Sequence, residues 1–146
     1  MAQHIGIVAC SAEGAALCYR TIAIEGATLV GRHDHPEVSL HNHSLAQYMH
    51  FIEKNDWVGV SELMLSSAEK LARAGADFLI CPDNTIHQGL PYIKLPLPFL
   101  HIAQVVAVEA KKEVTEEIAK AEAAKAKKAE ESKTAPQDKK ACADCK

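Results

Sequence analysis

Residues 78–87 read FLICPDNTIH, an apolar run that stops abruptly at a polar, turn-forming cluster. Such a change is typical of a buried strand whose carboxyl end opens into a functional loop. In open α/β sheets, ligands bind beyond the carboxyl ends of the strands. Pro82 is expected to shape this loop, while Asp83, Thr85 and His87 carry groups that exchange protons or hold a carboxylate. The segment therefore predicts a buried strand followed by a binding or catalytic loop.

The rest of the first 110 residues alternates between predicted strands and helices. Residues 4–10 indicate a buried strand, and Ser11 is a candidate N-cap for a helix at residues 15–24. The later predicted elements are a strand at residues 38–42, apolar helical positions from 45 to 52, a helix capped by Asp56 and closed by Gly75, the strand 78–81, a proline-rich connection at 90–98, a strand at 99–102 and a helix from 103. This order predicts an α/β fold, a three-layer α/β/α flavodoxin-like parallel sheet of about four strands.

Composition and charge limit the classes of function. Apolar residues make up 48% of the 146-residue chain and aromatic residues 5%, which predicts an aliphatic core. Residues 1–110 carry 6 basic and 11 acidic side chains, a net charge of −5, and this balance argues against nucleic-acid binding. No signal peptide or membrane-spanning run is expected, and five cysteines without a disulfide pattern predict free thiols in the cytoplasm.

The composition changes near residue 111, which predicts an α/β domain at 1–110 and a tail at 111–146. The tail is rich in Ala, Lys and Glu and carries a net charge of +2. High helix propensity without a continuous apolar face predicts a solvated helix or a disordered segment. Cys142 and Cys145 form a lone Cys-x-x-Cys pair, which is weak support for zinc or redox chemistry; an exposed thiol pair is the simpler interpretation.

Several short motifs together resemble one known family. Residues 4 to about 110 are similar to the N-terminal half of the aspartate/glutamate racemase superfamily, which are cofactor-independent amino-acid racemases. The matching segments are Ile5-Gly6-Ile7, Tyr19-Arg20, His35-Pro36-Glu37-Val38, Ala74-Gly75-Ala76-Asp77-Phe78 and, most of all, Pro82-Asp83-Asn84-Thr85-Ile86-His87. The family usually has Pro-Cys-Asn-Thr-Ala-His at the last segment. The resemblance implies an isomerase that uses neither pyridoxal phosphate nor a metal.

Two departures from the family concern the chemistry directly. The position of the family's nucleophilic cysteine is Asp83 here, and Cys81 lies two residues earlier, roughly 6–7 Å back along a strand. The family also has a second domain with a second catalytic cysteine in a Gly-Cys-Thr-Glu loop, and residues 111–146 do not resemble it. Racemization needs one proton-transferring group on each face of the Cα. This chain supplies a candidate for one face only, which predicts weak activity or none in isolation.

The resemblance and the chemistry nominate six site residues. Asp83 is the candidate catalytic base, although aspartate before Asn-Thr is also a common turn former. The candidate substrate-binding residues, which would hold a small amino acid or carboxylate, are Ser11, Asn84, Thr85, His43 and His87. Cys10 and Cys81 are either nucleophiles or small apolar core residues. His-x-His pairs at 33/35 and 41/43 suggest zinc, but they lack a characteristic ligand spacing, so no metal is expected.

Two classes of function therefore stay open. The first is a racemase-type enzyme, which is expected to be either a truncated form or a half-enzyme completed by a homo-oligomer or by a complementing half. The second is a non-catalytic module that binds small carboxylates or a protein partner. Neither interpretation involves nucleic acid or a membrane. Incorporation of solvent deuterium at the substrate Cα separates them, because only the first breaks the Cα–H bond.

Overall fold

The computed structural model describes residues 3–134, and four parallel strands form one sheet in the order β2-β1-β3-β4. The strands are β1 at Ile5–Ala9, β2 at Val38–Asn42, β3 at Phe78–Ile80 and β4 at Phe99–Leu100. The helices are α1 at Ala12–Val30, α2 at Leu45–Ile52, α3 at Trp57–Arg73 and α4 at Ile102–Thr134, with a 3₁₀ segment at Asn84–Tyr92. The predicted four-stranded parallel α/β fold is confirmed.

One face of the sheet packs closely on α3. A Cβ at Gly6 of β1 would lie 2.8 Å from Leu79 and 3.3 Å from Leu71 of α3, so the missing side chain lets helix and sheet approach. Leu79 is fully buried, as are Val60 and Met64 on α3. This side of the sheet holds the aliphatic core that the composition predicted.

The opposite face of the sheet carries α1. Ile7, Ile80 and Leu100 share this face because they are register partners across β1, β3 and β4. Cys18 of α1 lines a cavity of about 200 Å³ together with Ile80 and Leu100. Helices therefore lie on both faces, which gives the predicted three layers.

The structure lengthens α1 relative to the sequence prediction of residues 15–24. The helix begins at Ala12, because the Ser11 side chain caps it by accepting from the Gly14 N–H. It ends at Val30 and is followed by the C-cap Gly31, where φ is +133°. Residues 11–14, which lie before the predicted helix, are therefore its cap and first turn. The prediction of Ser11 as the N-cap is confirmed, but the helix starts three residues earlier and ends six residues later than predicted.

The fourth strand is shorter than predicted. It ends at Leu100 instead of residue 102, and α4 begins at Ile102. The His101 Nδ1 accepts a hydrogen bond from the Ala103 N–H at 3.2 Å, so this side chain caps the helix where the strand was expected to continue. The third strand likewise ends one residue early, at Ile80.

By its contacts the chain divides into two units, Met1–Val105 and Val106–Lys146. Within the second unit the predicted tail is helical as far as Thr134. The expected domain boundary near residue 110 falls inside α4 and stays a prediction. Cys142 and Cys145 lie outside the described residues. Among the helices that the structure describes, none is long and apolar enough to cross a membrane.

Candidate functional site

The candidate site lies where the carboxyl ends of β1 and β3 meet. β1 pairs with β2 on one side and with β3 on the other, so the chain leaves β1 toward one edge of the sheet and later returns to the other side. This change of direction opens a crevice at the strand ends, the usual ligand position in such sheets. Cys10 and Ser11 follow β1, and Pro82 and Asp83 follow β3.

The Asp83 carboxylate joins these two loops. Its Oδ2 accepts from the Cys10 N–H at 3.0 Å and from the Ser11 N–H at 3.2 Å. Its Oδ1 accepts from the Ser11 hydroxyl. Hydrogen bonds to an ionised acceptor are stronger than neutral ones, so the contact ties the start of α1 to the loop after β3.

Ser11 links this contact to the helix cap. Its hydroxyl oxygen accepts from the Gly14 N–H at 3.1 Å while the hydroxyl hydrogen is donated to Asp83. A Cβ at Gly14 would lie 2.8 Å from Ser11 Oγ and 3.2 Å from Asp83 Oδ1. The absence of a side chain at Gly14 therefore leaves room for the carboxylate against the first turn of α1.

A cavity of about 470 Å³ opens beside this contact. Asn84 and Thr85, at the start of the 3₁₀ segment, are exposed and line it together with Ser11 and Asp83. The structure therefore brings four of the six predicted site residues to one cavity. Its size suits a small metabolite, at the lower end of the range for ligand pockets.

The wall of this cavity contributed by α2 was not predicted as part of a site. Leu45, Met49 and Ile52 line the cavity, although their helical spacing indicated core positions. Leu45 is 47% exposed and Met49 37% exposed, values unusual for core residues. The order of the elements could have indicated this wall, because α2 directly follows the carboxyl end of β2 and so borders the same edge of the sheet.

The two predicted histidines lie elsewhere. His43 lines a separate depression of about 600 Å³ beside α2 and packs against His41, with 4.7 Å between ring centroids. His87 is 9% exposed and packs against Phe99 and His101. Burial is the main cause that lowers the pKa of both His43 and His87, so the neutral imidazole is favoured. Neither ring lines the cavity beside Asp83, and a substrate role for them stays a prediction.

The thiols beside the cavity are held in their protonated form. Burial, with Asp83 adding to it, raises the pKa of Cys10 to about 11. Burial also raises the pKa of Cys81 to about 12, and the Cys81 thiol points to the Asp83 carbonyl oxygen at 3.7 Å. Since the thiolate is the nucleophilic form, both residues behave as small buried groups at neutral pH. Within residues 3–134, no three His, Cys, Asp or Glu side chains are grouped to hold a metal ion.

Comparison with known proteins gives structural relatives only. No protein-family model and no curated protein matches the chain. A candidate Asp/Glu racemase from Yersinia pestis superposes with a TM-score of 0.71 and 26% sequence identity, over 76% of this chain and 50% of its own. An aspartate racemase homologue from Pyrococcus horikoshii, at 24% identity and a TM-score of 0.65 over 77% of this chain and 50% of its own, supports the fold alone.

The match covers most of this chain but only part of those proteins. The chain spans about half the length of the solved structures that it resembles. The resemblance to the aspartate/glutamate racemase superfamily, drawn from the motifs between residues 4 and about 110, is confirmed by the Yersinia pestis structure, over half of that protein's length.

Proposed function

We propose that this chain carries one wall of a cofactor-independent racemase-type site for a small acidic amino acid. The single observation that supports this best is the cavity at the carboxyl ends of β1 and β3, which gathers Ser11, Asp83, Asn84 and Thr85. In this proposal Asn84 and Thr85 hold a substrate carboxylate through their exposed amide and hydroxyl groups. A cytoplasmic location is part of the same proposal.

Asp83 is the group that would exchange the α-proton on one face of the substrate. A racemase needs a second proton donor on the opposite face. Among the described residues that line the cavity, the only acid or base besides Asp83 is the Cys10 thiol, whose pKa is raised. The second group would come from another copy of the chain or from a complementing half. The isolated chain is therefore expected to be weak or inactive as a racemase.

A second candidate function is a module that binds small carboxylates without chemistry. It is favoured by the three hydrogen bonds to Asp83, because both of its carboxylate oxygens are already engaged by donors of the chain itself. This candidate needs no second proton donor. It keeps the same cavity and the same binding residues, so binding alone does not separate the two candidates.

Deuterium exchange separates these candidates. L-aspartate and L-glutamate are incubated with the chain in D₂O, and loss of the Cα–H signal is followed by NMR, with Asp83→Ala as the paired variant. The racemase-type proposal expects slow exchange that disappears in the variant, even where no D-isomer accumulates. Binding without any exchange above the variant's background would favour the non-catalytic module. Rapid racemization by the isolated chain would contradict the half-site proposal.

A further inference from the structure

We propose that Asp83 is an internal carboxylate that weakens carboxylate binding at this candidate site, because it occupies donors that a bound carboxylate would otherwise use. This inference rests on the proposed function only in placing the ligand in the same cavity. The position of Asp83 comes from hydrogen bonds across 72 or more residues of sequence. It is therefore a consequence of the sheet and not a local turn.

The donors converge on one carboxylate from a single loop. Two backbone N–H groups, of Cys10 and Ser11, point to Oδ2, and the Ser11 hydroxyl reaches Oδ1. Both oxygens of Asp83 are thus engaged, one by two donors and one by the third. Gly14 leaves the space that this carboxylate fills. The chain's own side chain takes the role that a ligand's carboxylate plays in an open site.

The cavity shares its wall with this contact. Cys10, Ser11 and Asp83 all line it, so a carboxylate that enters meets these donors already satisfied and meets the charge of Asp83. Asn84 and Thr85 are left as the exposed polar side chains of the lining. Displacing Asp83 forfeits charge-assisted hydrogen bonds, a penalty expected to weaken binding by roughly ten- to a hundredfold.

Asp77 provides a matched control at the opposite end of β3, because it directly precedes that strand while Asp83 follows it. Its Oδ2 accepts from the backbone N–H of His4, the residue before β1, at 2.7 Å. It is therefore also a carboxylate held by a backbone donor, but at the amino end of the sheet. Removing it changes the net charge as much as removing Asp83 does. It is not among the residues that line the cavity.

The experiment titrates acetate and L-aspartate into ¹⁵N-labelled wild type, Asp83→Ala and Asp77→Ala, following the amide signals of Cys10, Ser11 and Gly14. We expect saturable shifts of these signals in Asp83→Ala, with an affinity roughly ten- to a hundredfold above that of the wild type. Asp77→Ala should behave like the wild type. Asp83→Asn keeps the side-chain volume and one acceptor oxygen but removes the charge, so it should show a smaller gain in the same direction. It serves if the alanine variant does not fold.

Two results would overturn the proposal. One is that the wild type binds acetate or L-aspartate at the Cys10 and Ser11 amides as tightly as Asp83→Ala does. The other is a folded Asp83 variant, with dispersed amide signals, whose Cys10 and Ser11 amides do not respond to either ligand. Both differ from failure of the proposed function, in which wild type neither binds at Asn84 and Thr85 nor exchanges the α-proton. Asp83→Ala can still gain acetate binding in that case.

Discussion

At the scale of single residues, Ser11 couples a helix cap to the candidate site. Its hydroxyl accepts from the first turn of α1 and donates to Asp83, while its N–H donates to the same carboxylate. A helix cap alone typically contributes 0.5 to 2 kcal/mol to stability, roughly. The bond to Asp83 adds to this because the carboxylate loses a donor when the hydroxyl is removed.

Replacing Ser11 by alanine should therefore lower the free energy of unfolding by about 1–3 kcal/mol. Ser44 is the matched control, because it occupies the N-cap of α2 without a side-chain cap hydrogen bond. Urea unfolding followed by circular dichroism measures both variants. Ser44→Ala should fall within about 0.5 kcal/mol of wild type. Equal losses for the two serines would contradict the role assigned to Ser11.

At the scale of elements, the stability of α1 depends more on the hydrogen bonds at its first turn than on the burial of its side chains. Of its 19 residues only Ala15 is buried, and Leu17, Ile24 and Leu29 are all more than half exposed. Helices of this kind gain little from packing, so the cap and the Asp83 contact matter more to their stability. The same contact sets the position of the loop that lines the cavity.

Two glycines of α1 test this view of the helix. Gly14→Ala places a Cβ 2.8 Å from Ser11 Oγ, whereas at Gly26 the nearest atoms, on His35 and Pro36, are 3.4 Å away. Alanine in a helix is favoured over glycine by up to about 1 kcal/mol, so Gly26→Ala should raise the free energy of unfolding. Gly14→Ala should lose this gain or lower stability, because Ser11 and Asp83 must move apart. Thermal unfolding compares the two; a similar gain at both sites would contradict the close contact.

At the scale of the whole molecule, buried titratable groups limit the pH range of stability. Burial is the largest cause of each shift. It raises the pKa of Cys10 to about 11 and that of Cys81 to about 12, and it raises the pKa of Tyr48 well above its usual value. Burial lowers the pKa of His41 and His87. The folded state therefore favours the neutral form of all five groups.

Stability should accordingly be greatest between about pH 7 and 9. Above pH 9 the unfolded thiols ionise first, so stability is lost as the pH rises toward the raised folded pKa values, by up to about 1.4 kcal/mol per pH unit for each thiol. Below pH 6.5 the unfolded histidines gain protons first, so stability falls again. Urea unfolding at pH 5.5, 8 and 10.5 checks this. A Cys81→Ala variant, if folded, should show a smaller loss at pH 10.5.

Much of the architecture could be predicted because strands and helix caps leave recognisable patterns in neighbouring residues of the sequence. The apolar runs ending at Cys10 and Cys81 marked β1 and β3, and Ser11 and Asp56 were recognised as helix caps that the structure confirms. The length of α1 and the early end of β4 were not predicted. For β4 the reason is that hydrophobic periodicity does not distinguish a helix-capping side chain, such as that of His101, from a strand residue. The α2 wall was missed because exposure at a strand end does not alter helical spacing.

The sequence by itself determined the element order, the parallel sheet and the polar loop from Pro82 to Thr85, because hydrophobic periodicity and turn chemistry act over neighbouring residues. Only the tertiary structure decided what Asp83 does. Placing β3 beside β1 brings its carboxylate to the N–H groups of Cys10 and Ser11, 72 or more residues away. Asp83, which the sequence suggests is an unpaired acid, therefore accepts hydrogen bonds from another loop. The order of the strands in the sheet, and not the local sequence pattern, determines which loops meet.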